Sequence, residues 1–381
     1  VKKLKQLFAV LGLMLGGNAY ADYTLNLTEG VTELSRDVHD LHMTIMWICV
    51  VIGVLVYSVM VYSIIHHRKS KGVAPAQFHE NTKLEIVWTI IPFLILLTMA
   101  VPATRVMLNI YDLDKTAEPV SMTIKVTGYQ WKWRYEYLDD GIDFFSTLDA
   151  KSNEARQLGS DQNPATVDNY LLNVDHPLVI PVNKKIRFLF TGADVIHSWW
   201  VPAFGWKMDT IPGFVTDGWV KVEKPGVYRG QCTELCGRDH GFMPIVVIAK
   251  PEAEYNQWLA EQKGKGAAAK EEAKADAVKT FSKDELIAKG KEVYNANCAS
   301  CHQANGEGIP GTFPAITNSP SANGPIGEHV KVVLKGKGQM MPAFESTLTP
   351  AEIAAVVTFQ RNGLGNSKGD MVQPAEVSAK N

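Results

Sequence analysis

Cys298-Ala-Ser-Cys301-His302 is a stretch whose residue types and spacing define a chemistry. Two cysteines separated by two residues can add their thiols to the two vinyl groups of haem, and the histidine that follows can then ligate the iron. A second set of donors lies upstream: Cys232-Thr-Glu234-Leu-Cys236, then His240 and Met243, with His197 expected to end an earlier apolar strand (Arg187-Phe-Leu-Phe190). Two cysteines and two histidines would also make a zinc site. Methionine argues against zinc, because its soft thioether suits copper. A blue single-copper site needs one cysteine, so two thiolates imply two copper ions bridged by both sulfurs. Sharing an unpaired electron over two metals spreads the charge change over more atoms and lowers the reorganisation at each transfer. Both motifs are therefore electron-transfer chemistry on one polypeptide.

The elements that must position these residues fall into distinct zones. The 381-residue chain allows two to three domains, and its formal charge of −2 gives no basic excess, so no nucleic-acid partner is expected. Four of the five cysteines lie in the two motifs. Cys49 sits in an apolar segment and reads as a small buried hydrophobe, so no pair is left for a structural disulfide. Residues 1–21 have the layout of a secretory signal: Lys2, Lys3 and Lys5, a short apolar run, then Ala19-Tyr20-Ala21. Retention as an anchor is the alternative, but the run is far shorter than the roughly 20 residues a span requires.

Residues 41–65 and 84–107 are apolar runs long enough to cross a membrane, within a hairpin expected over 22–115. The loop between them carries His66-His67-Arg68-Lys69-Ser70-Lys71, which the positive-inside rule keeps cytoplasmic. Everything after the hairpin is then held on the outer face. Glu85, at the cytoplasmic start of the second span, has two readings: a functional ionisable group at a membrane entrance, or an acid favoured at a helix N-terminus. From about 116 to 256 short strands alternate with Gly and Pro, the pattern of an antiparallel sandwich. Trp131, Trp133, Tyr135 and Tyr137 alternate with polar residues, so they are expected on one strand face, whose ordinary use is core packing.

His197-Ser-Trp, Gln231-Cys-Thr-Glu-Leu-Cys-Gly, His240-Gly-Phe-Met-Pro, Gly128-Tyr-Gln-Trp-Lys-Trp-Arg-Tyr-Glu-Tyr and Glu85-Ile-Val-Trp-Thr-Ile-Ile-Pro together resemble subunit II of the haem–copper cytochrome c oxidases. The resemblance covers residues 30–255. It implies that His197, Cys232, Cys236, His240 and Met243 bind a dinuclear copper centre through side chains. It also implies that Glu234 supplies a backbone carbonyl to copper and turns its carboxylate to a magnesium at the boundary with the catalytic subunit. It makes Trp131 the electron entry point and Glu85 the acid at a proton-channel mouth. The family commonly has histidine where Tyr129 stands, a change that removes no ligand.

Residues 257–280 read as a flexible linker: Glu261 to Thr280 is rich in Ala, Lys, Glu and Gly, twenty flexible residues would reach roughly 25 Å, and a helical tether would be of similar reach. Residues 281–366 resemble a class I c-type cytochrome, followed by a tail over 367–381. Ser282 with Glu285 makes a capping-box start, and Thr349, Pro350 and Glu352 open a last helix. His302 needs an axial partner. Met340 and Met341 compete, and the Met-Pro-Ala-Phe resemblance favours Met341. Pro314 is expected to offer its carbonyl to the other nitrogen of His302.

The expected fold class is therefore multidomain: a two-helix transmembrane hairpin, an all-β cupredoxin-like sandwich, then an all-α cytochrome c domain. The resemblance implies the fused subunit II of a caa-type oxidase in the bacterial inner membrane, multi-pass, with both redox domains on the periplasmic side. Catalytic subunit I, subunit III, membrane lipid and a cytochrome c or other upstream donor would be its partners. No catalytic residue is expected in this chain. A stand-alone membrane carrier, a nitric oxide reductase subunit and a quinol oxidase subunit II are the rival readings. Glu85 and Glu234 have no task in the first, and the last usually lacks the copper ligands.

Overall fold

The computed structural model describes residues 26–28, 30–72, 74, 77, 79–111, 118–157, 159–311, 313–338, 341–345 and 347–379. The expected signal segment 1–21 and Met340 lie outside the described residues. The chain divides into two compact units. One holds the N-terminal hairpin together with Pro202–Trp206, and the other holds the rest.

In the first unit, α1 (Glu33–His66) and α2 (Thr82–Tyr111) are both long and apolar enough to cross a membrane. Each extends beyond the expected run. For α1 the extension starts at Thr32, whose hydroxyl accepts from Ser35 N at 2.9 Å in a capping box. Glu85 lies in the first turn of α2 and is exposed. Side chains such as Leu55, Val59 and Phe93 are exposed along both helices, as expected of surfaces that face hydrocarbon or another membrane helix. Asn109 Nδ2 donates to Asp37 Oδ2 at 3.3 Å and ties the far ends of the hairpin together.

The second unit opens with a sandwich of two five-stranded sheets. The strands are β1 (Met122–Tyr129), β2 (Lys132–Tyr137), β3 (Ile142–Ser146), β4 (Leu178–Pro181), β5 (Ile186–Gly192), β6 (His197–Trp200), β7 (Lys207–Thr210), β8 (Thr216–Val220), β9 (Gly226–Cys232) and β10 (Pro244–Lys250). The orders are β3-β2-β1-β5-β8 and β4-β10-β9-β6-β7. The sheets are mixed, not purely antiparallel: β1 runs parallel to β5, and β4 to β10. Period-2 patterning fixes which residues point inward but not strand direction, so the sequence could not report these pairings. Phe188 from one sheet stacks on Trp199 from the other at a ring-centroid distance of 5.5 Å, and Phe190 packs tilted against the same ring at 5.9 Å, closing the core.

Two expectations are corrected in this sandwich. Trp131 is not on the strand face. Gln130 and Trp131 form the turn between β1 and β2, while Trp133, Tyr135 and Tyr137 share the buried face. His197 does not end the Phe188–Phe190 strand either; it opens β6 in the opposite sheet.

Of the two forms open to the linker, the structure takes the helical one. It is part of α4, which runs from Glu252 to Val278 after a short α3 (Ala150–Ala155) earlier in the chain. Ala, Glu and Lys are strong helix formers, and Lys274 pairs with Glu271 at 2.8 Å along the helix. Absence of a core excludes burial but not helix, and composition alone did not separate the two. The start of α4 is fastened to the sandwich: Trp258 packs on Tyr137 at 5.5 Å, and Lys263 pairs with Asp140 at 2.8 Å.

The haem-attachment domain comprises α5 (Lys283–Asn297), α6 (Ala299–His302), α7 (Pro320–Asn323), α8 (Ile326–Lys335), α9 (Pro350–Asn362) and α10 (Pro374–Ser378). Both expected capping boxes are present, Ser282 with Glu285 and Thr349 with Glu352. Helices α5 and α9 cross closely at Gly290, where a Cβ would lie 2.1 Å from the Ala355 carbonyl oxygen. The expected tail is in part structural. Val372 and Val377 belong to the core, and Gln373 exchanges hydrogen bonds with the Phe281 backbone at 2.9 and 3.0 Å.

Candidate functional site

Two strand ends and one loop of the sandwich supply the expected donors. β6 brings His197, the end of β9 brings Cys232, and the β9–β10 loop brings Cys236, His240 and Met243. His197, Cys232 and Cys236 are buried, and their ligand atoms all lie within 4.8 Å of one another. The sulfurs of Cys232 and Cys236 are 3.8 Å apart, and His240 Nδ1 is 3.4 Å from the Cys236 sulfur. The Glu234 carbonyl oxygen lies 3.5 Å from the Cys232 sulfur, while the residue itself is exposed. Met243 is buried, and its carbonyl accepts from Cys232 N at 3.1 Å, which fixes the base of the loop.

Asp194, which no motif singles out, controls the state of His197. Its Oδ1 lies 2.8 Å from His197 Nε2. A carboxylate only accepts, so Nε2 carries the proton and Nδ1 presents a lone pair. That Nδ1 is buried without a hydrogen-bond partner. A buried, unpaired imidazole nitrogen beside two thiols is costly unless a metal takes it up, and the carboxylate behind it is the usual second-sphere support of a metal-bound histidine. The donor set therefore fits a soft metal. Gly128 leaves the room: a Cβ there would meet His197 Cδ2 at 2.7 Å.

Electrostatics favour thiolate at one of the two sulfurs, Cys232. Cys236 hydrogen-bonds to Cys232 and lowers its pKa; burial opposes this and His197 assists. The same shared proton, with burial, drives Cys236 upward. For His197, burial works against the charged ring, but the bond to Asp194 turns the balance upward.

Trp131 is 9 % exposed, and its indole Nε1 donates to the Cys236 carbonyl at 3.2 Å. Gln130 Nε2 donates to the same oxygen at 2.8 Å, while Gln130 N donates to Asp194 Oδ2 at 2.8 Å. The β1–β2 turn thus clamps both the cysteine loop and the histidine's partner.

In the α-helical domain, α5 ends where the attachment motif begins. The amides of Cys301 and His302 donate to the Cys298 carbonyl at 3.2 and 3.0 Å, so one helical turn holds the two thiols and the imidazole. His302 Nδ1 lies 2.8 Å from the Pro314 carbonyl oxygen, as expected. A carbonyl only accepts, so Nδ1 is protonated and Nε2 is left to ligate. Tyr294 donates to the Gln303 carbonyl at 2.7 Å and steadies the residue after the histidine. These residues fit a covalently attached haem. Met341 is half-buried against the core, and its carbonyl accepts from Lys337 N at 3.1 Å.

Comparison with known proteins agrees with this division. Residues 122–250 match the family described as cytochrome c oxidase subunit II, periplasmic domain, and residues 21–106 match its transmembrane domain. A probable cytochrome c oxidase subunit 2 from Rickettsia bellii is 36% identical over 265 residues, covering 68% of this chain and 93% of the relative. The chain belongs to the cytochrome c oxidase subunit II family. The cytochrome c oxidase subunit 2 of Cereibacter sphaeroides is 37% identical over 242 residues, 61% of this chain and 78% of that one. The crystal structure of the periplasmic domain of subunit II from Bradyrhizobium japonicum is 40% identical and covers 39% of this chain and 99% of its own, with a TM-score of 0.33. Residues 285–359 match a further family, cytochrome c oxidase, cbb3-type, subunit III. This subunit II therefore joins a copper domain to a haem-bearing cytochrome domain, in the manner of caa-type oxidases, and serves electron transfer in a membrane oxidoreductase complex.

Proposed function

We propose that His197, Cys232, Cys236, His240 and Met243, with the Glu234 carbonyl, hold two copper ions. Cys298 and Cys301 attach one haem, and His302 and Met341 are its axial ligands. When bound, these groups supply two one-electron carriers that relay electrons from an upstream cytochrome c or similar donor toward the oxygen-reducing subunit I. The chain's own residues supply fixed geometry. Asp194 holds the His197 tautomer, the β1–β2 turn pins the cysteine loop through the Cys236 carbonyl, and Pro314 sets the His302 ring. Buried walls exclude water, so little solvent must rearrange on electron transfer. The observation that carries this reading is the unpaired, buried His197 Nδ1 beside two thiols 3.8 Å apart.

The finer assignments follow the same reading. The exposed Glu234 carboxylate faces a magnesium shared with subunit I. Trp131 is the electron entry, and Glu85 stands at a proton-channel mouth. Domain limits are 22–115 for the hairpin, 116–256 for the copper domain and 281–379 for the haem domain, with helical α4 between the last two. Subunit III and lipid surround the hairpin in the inner membrane, and the redox domains lie in the periplasm.

Metal and haem analysis of the purified chain tests the proposal. Two coppers and one covalent haem per chain are expected. Cys236→Ser should abolish copper binding and leave the haem spectrum intact. Zinc in place of copper would contradict the site, as would copper retained in full by the variant.

A further inference from the structure

Resting on that reading, we propose that Lys132 is a positioning residue: it latches the haem-attachment domain onto the copper domain beside Trp131. Lys132 opens β2, one residue after Trp131. Its Nζ lies 4.1 Å from the centroid of the Phe145 ring and 3.2 Å from Asn297 Oδ1. Asn297 is the last residue of α5 and directly precedes Cys298. Its Nδ2 donates to the Val293 carbonyl at 3.1 Å, which orients the carboxamide so that its oxygen is presented to the lysine.

Each part of this contact suits a cation. The ring face of Phe145 attracts it, the amide oxygen accepts from it, and the C-terminal end of α5 carries the negative pole of the helix dipole. Lys132 is half-buried at this spot, and desolvation lowers its pKa, with Cys298, Asp175 and Asp194 opposing. The consequence is a short connected path. From the Cys236 carbonyl it runs through the Trp131 indole hydrogen bond, along the backbone to Lys132, and across the Asn297 contact to Cys298. A glutamine at 132 would lose both the charge and the reach, whereas arginine would keep the charge and the ring contact.

The test uses the full-length, copper- and haem-loaded chain in detergent. Amine acetylation read by mass spectrometry should label Lys132 several-fold more slowly than the exposed Lys151, and Asn297→Ala should remove most of that protection. Lys132→Gln should slow intramolecular haem-to-copper transfer roughly tenfold or more, since small misplacements of reacting groups are costly. Lys132→Arg should restore most of it, and copper and haem contents should match the parent chain. Labelling of Lys132 as fast as Lys151, or an unaltered transfer rate in Lys132→Gln, would overturn the latch. Missing copper or haem in the parent chain would instead overturn the site assignment, and the labelling pattern would still decide the latch.

Discussion

Asp194 is the residue on which the copper site's geometry turns. It grips His197 Nε2 through one oxygen and the Gln130 amide through the other, each at 2.8 Å. Second-sphere carboxylates of this kind are worth roughly 10–100-fold in metal affinity. Asp194→Ala should therefore weaken copper binding by roughly that factor, while Asp194→Asn, which keeps an acceptor oxygen, should fall between. A competition titration against a copper chelator measures this; equal affinities would show that His197 is oriented by other means. The residues that could touch metal were legible in the sequence, because cysteine, histidine and methionine carry few other reasons to cluster. Asp194 was not, because aspartate is common in loops and its function depends on a hydrogen bond that no spacing encodes. Trp131 was legible as a residue but misplaced, since alternation cannot show where a strand stops and a turn begins.

Among the elements, the crossing of α5 and α9 carries the haem domain. Alanine is favoured over glycine inside a helix by about 1 kcal/mol. At position 290 that gain competes with a Cβ 2.1 Å from the Ala355 carbonyl oxygen. The collision should win, so Gly290→Ala is expected to destabilise the domain by about 1–3 kcal/mol. A lowered thermal midpoint followed at the haem would show it, and a raised midpoint would mean that the helices separate freely. Helix α8 adds a pH dependence. His329 is buried against Gln360 Oε1, 2.8 Å from its Nε2. Burial, with Arg361 adding and Gln360 and Asp370 opposing, pulls its pKa from 6.5 down to about 4. The unfolded chain then takes up a proton that the folded domain refuses. Stability from this group is full above pH 6.5 and falls as the pH drops toward 4, by about 3 kcal/mol in all. Denaturant titrations of His329→Asn should lack this slope between those limits; an unchanged slope would place the effect elsewhere. The helix starts were readable because capping boxes are local. The parallel strand pairs, the helicity of α4 and the docking of α10 were not, because each is decided by partners distant in sequence or by the balance between weak propensities.

For the whole molecule, one chain carries a membrane hairpin and, in its second unit, both redox domains. Helix α4 is held at its start by Trp258 and Lys263 and near its end by Asp276, which pairs with Lys289 of α5 at 2.7 Å. Such a connection keeps the haem domain at high effective concentration near the copper domain, so transfer between them needs no encounter in solution. The most direct test is to deliver an electron to the haem of the purified full-length chain by a light flash and follow its arrival at copper over a range of protein concentrations. The expected result is a single first-order rate that does not change with concentration. A rate that rises in proportion to concentration, or an electron that never leaves the haem, would contradict the account.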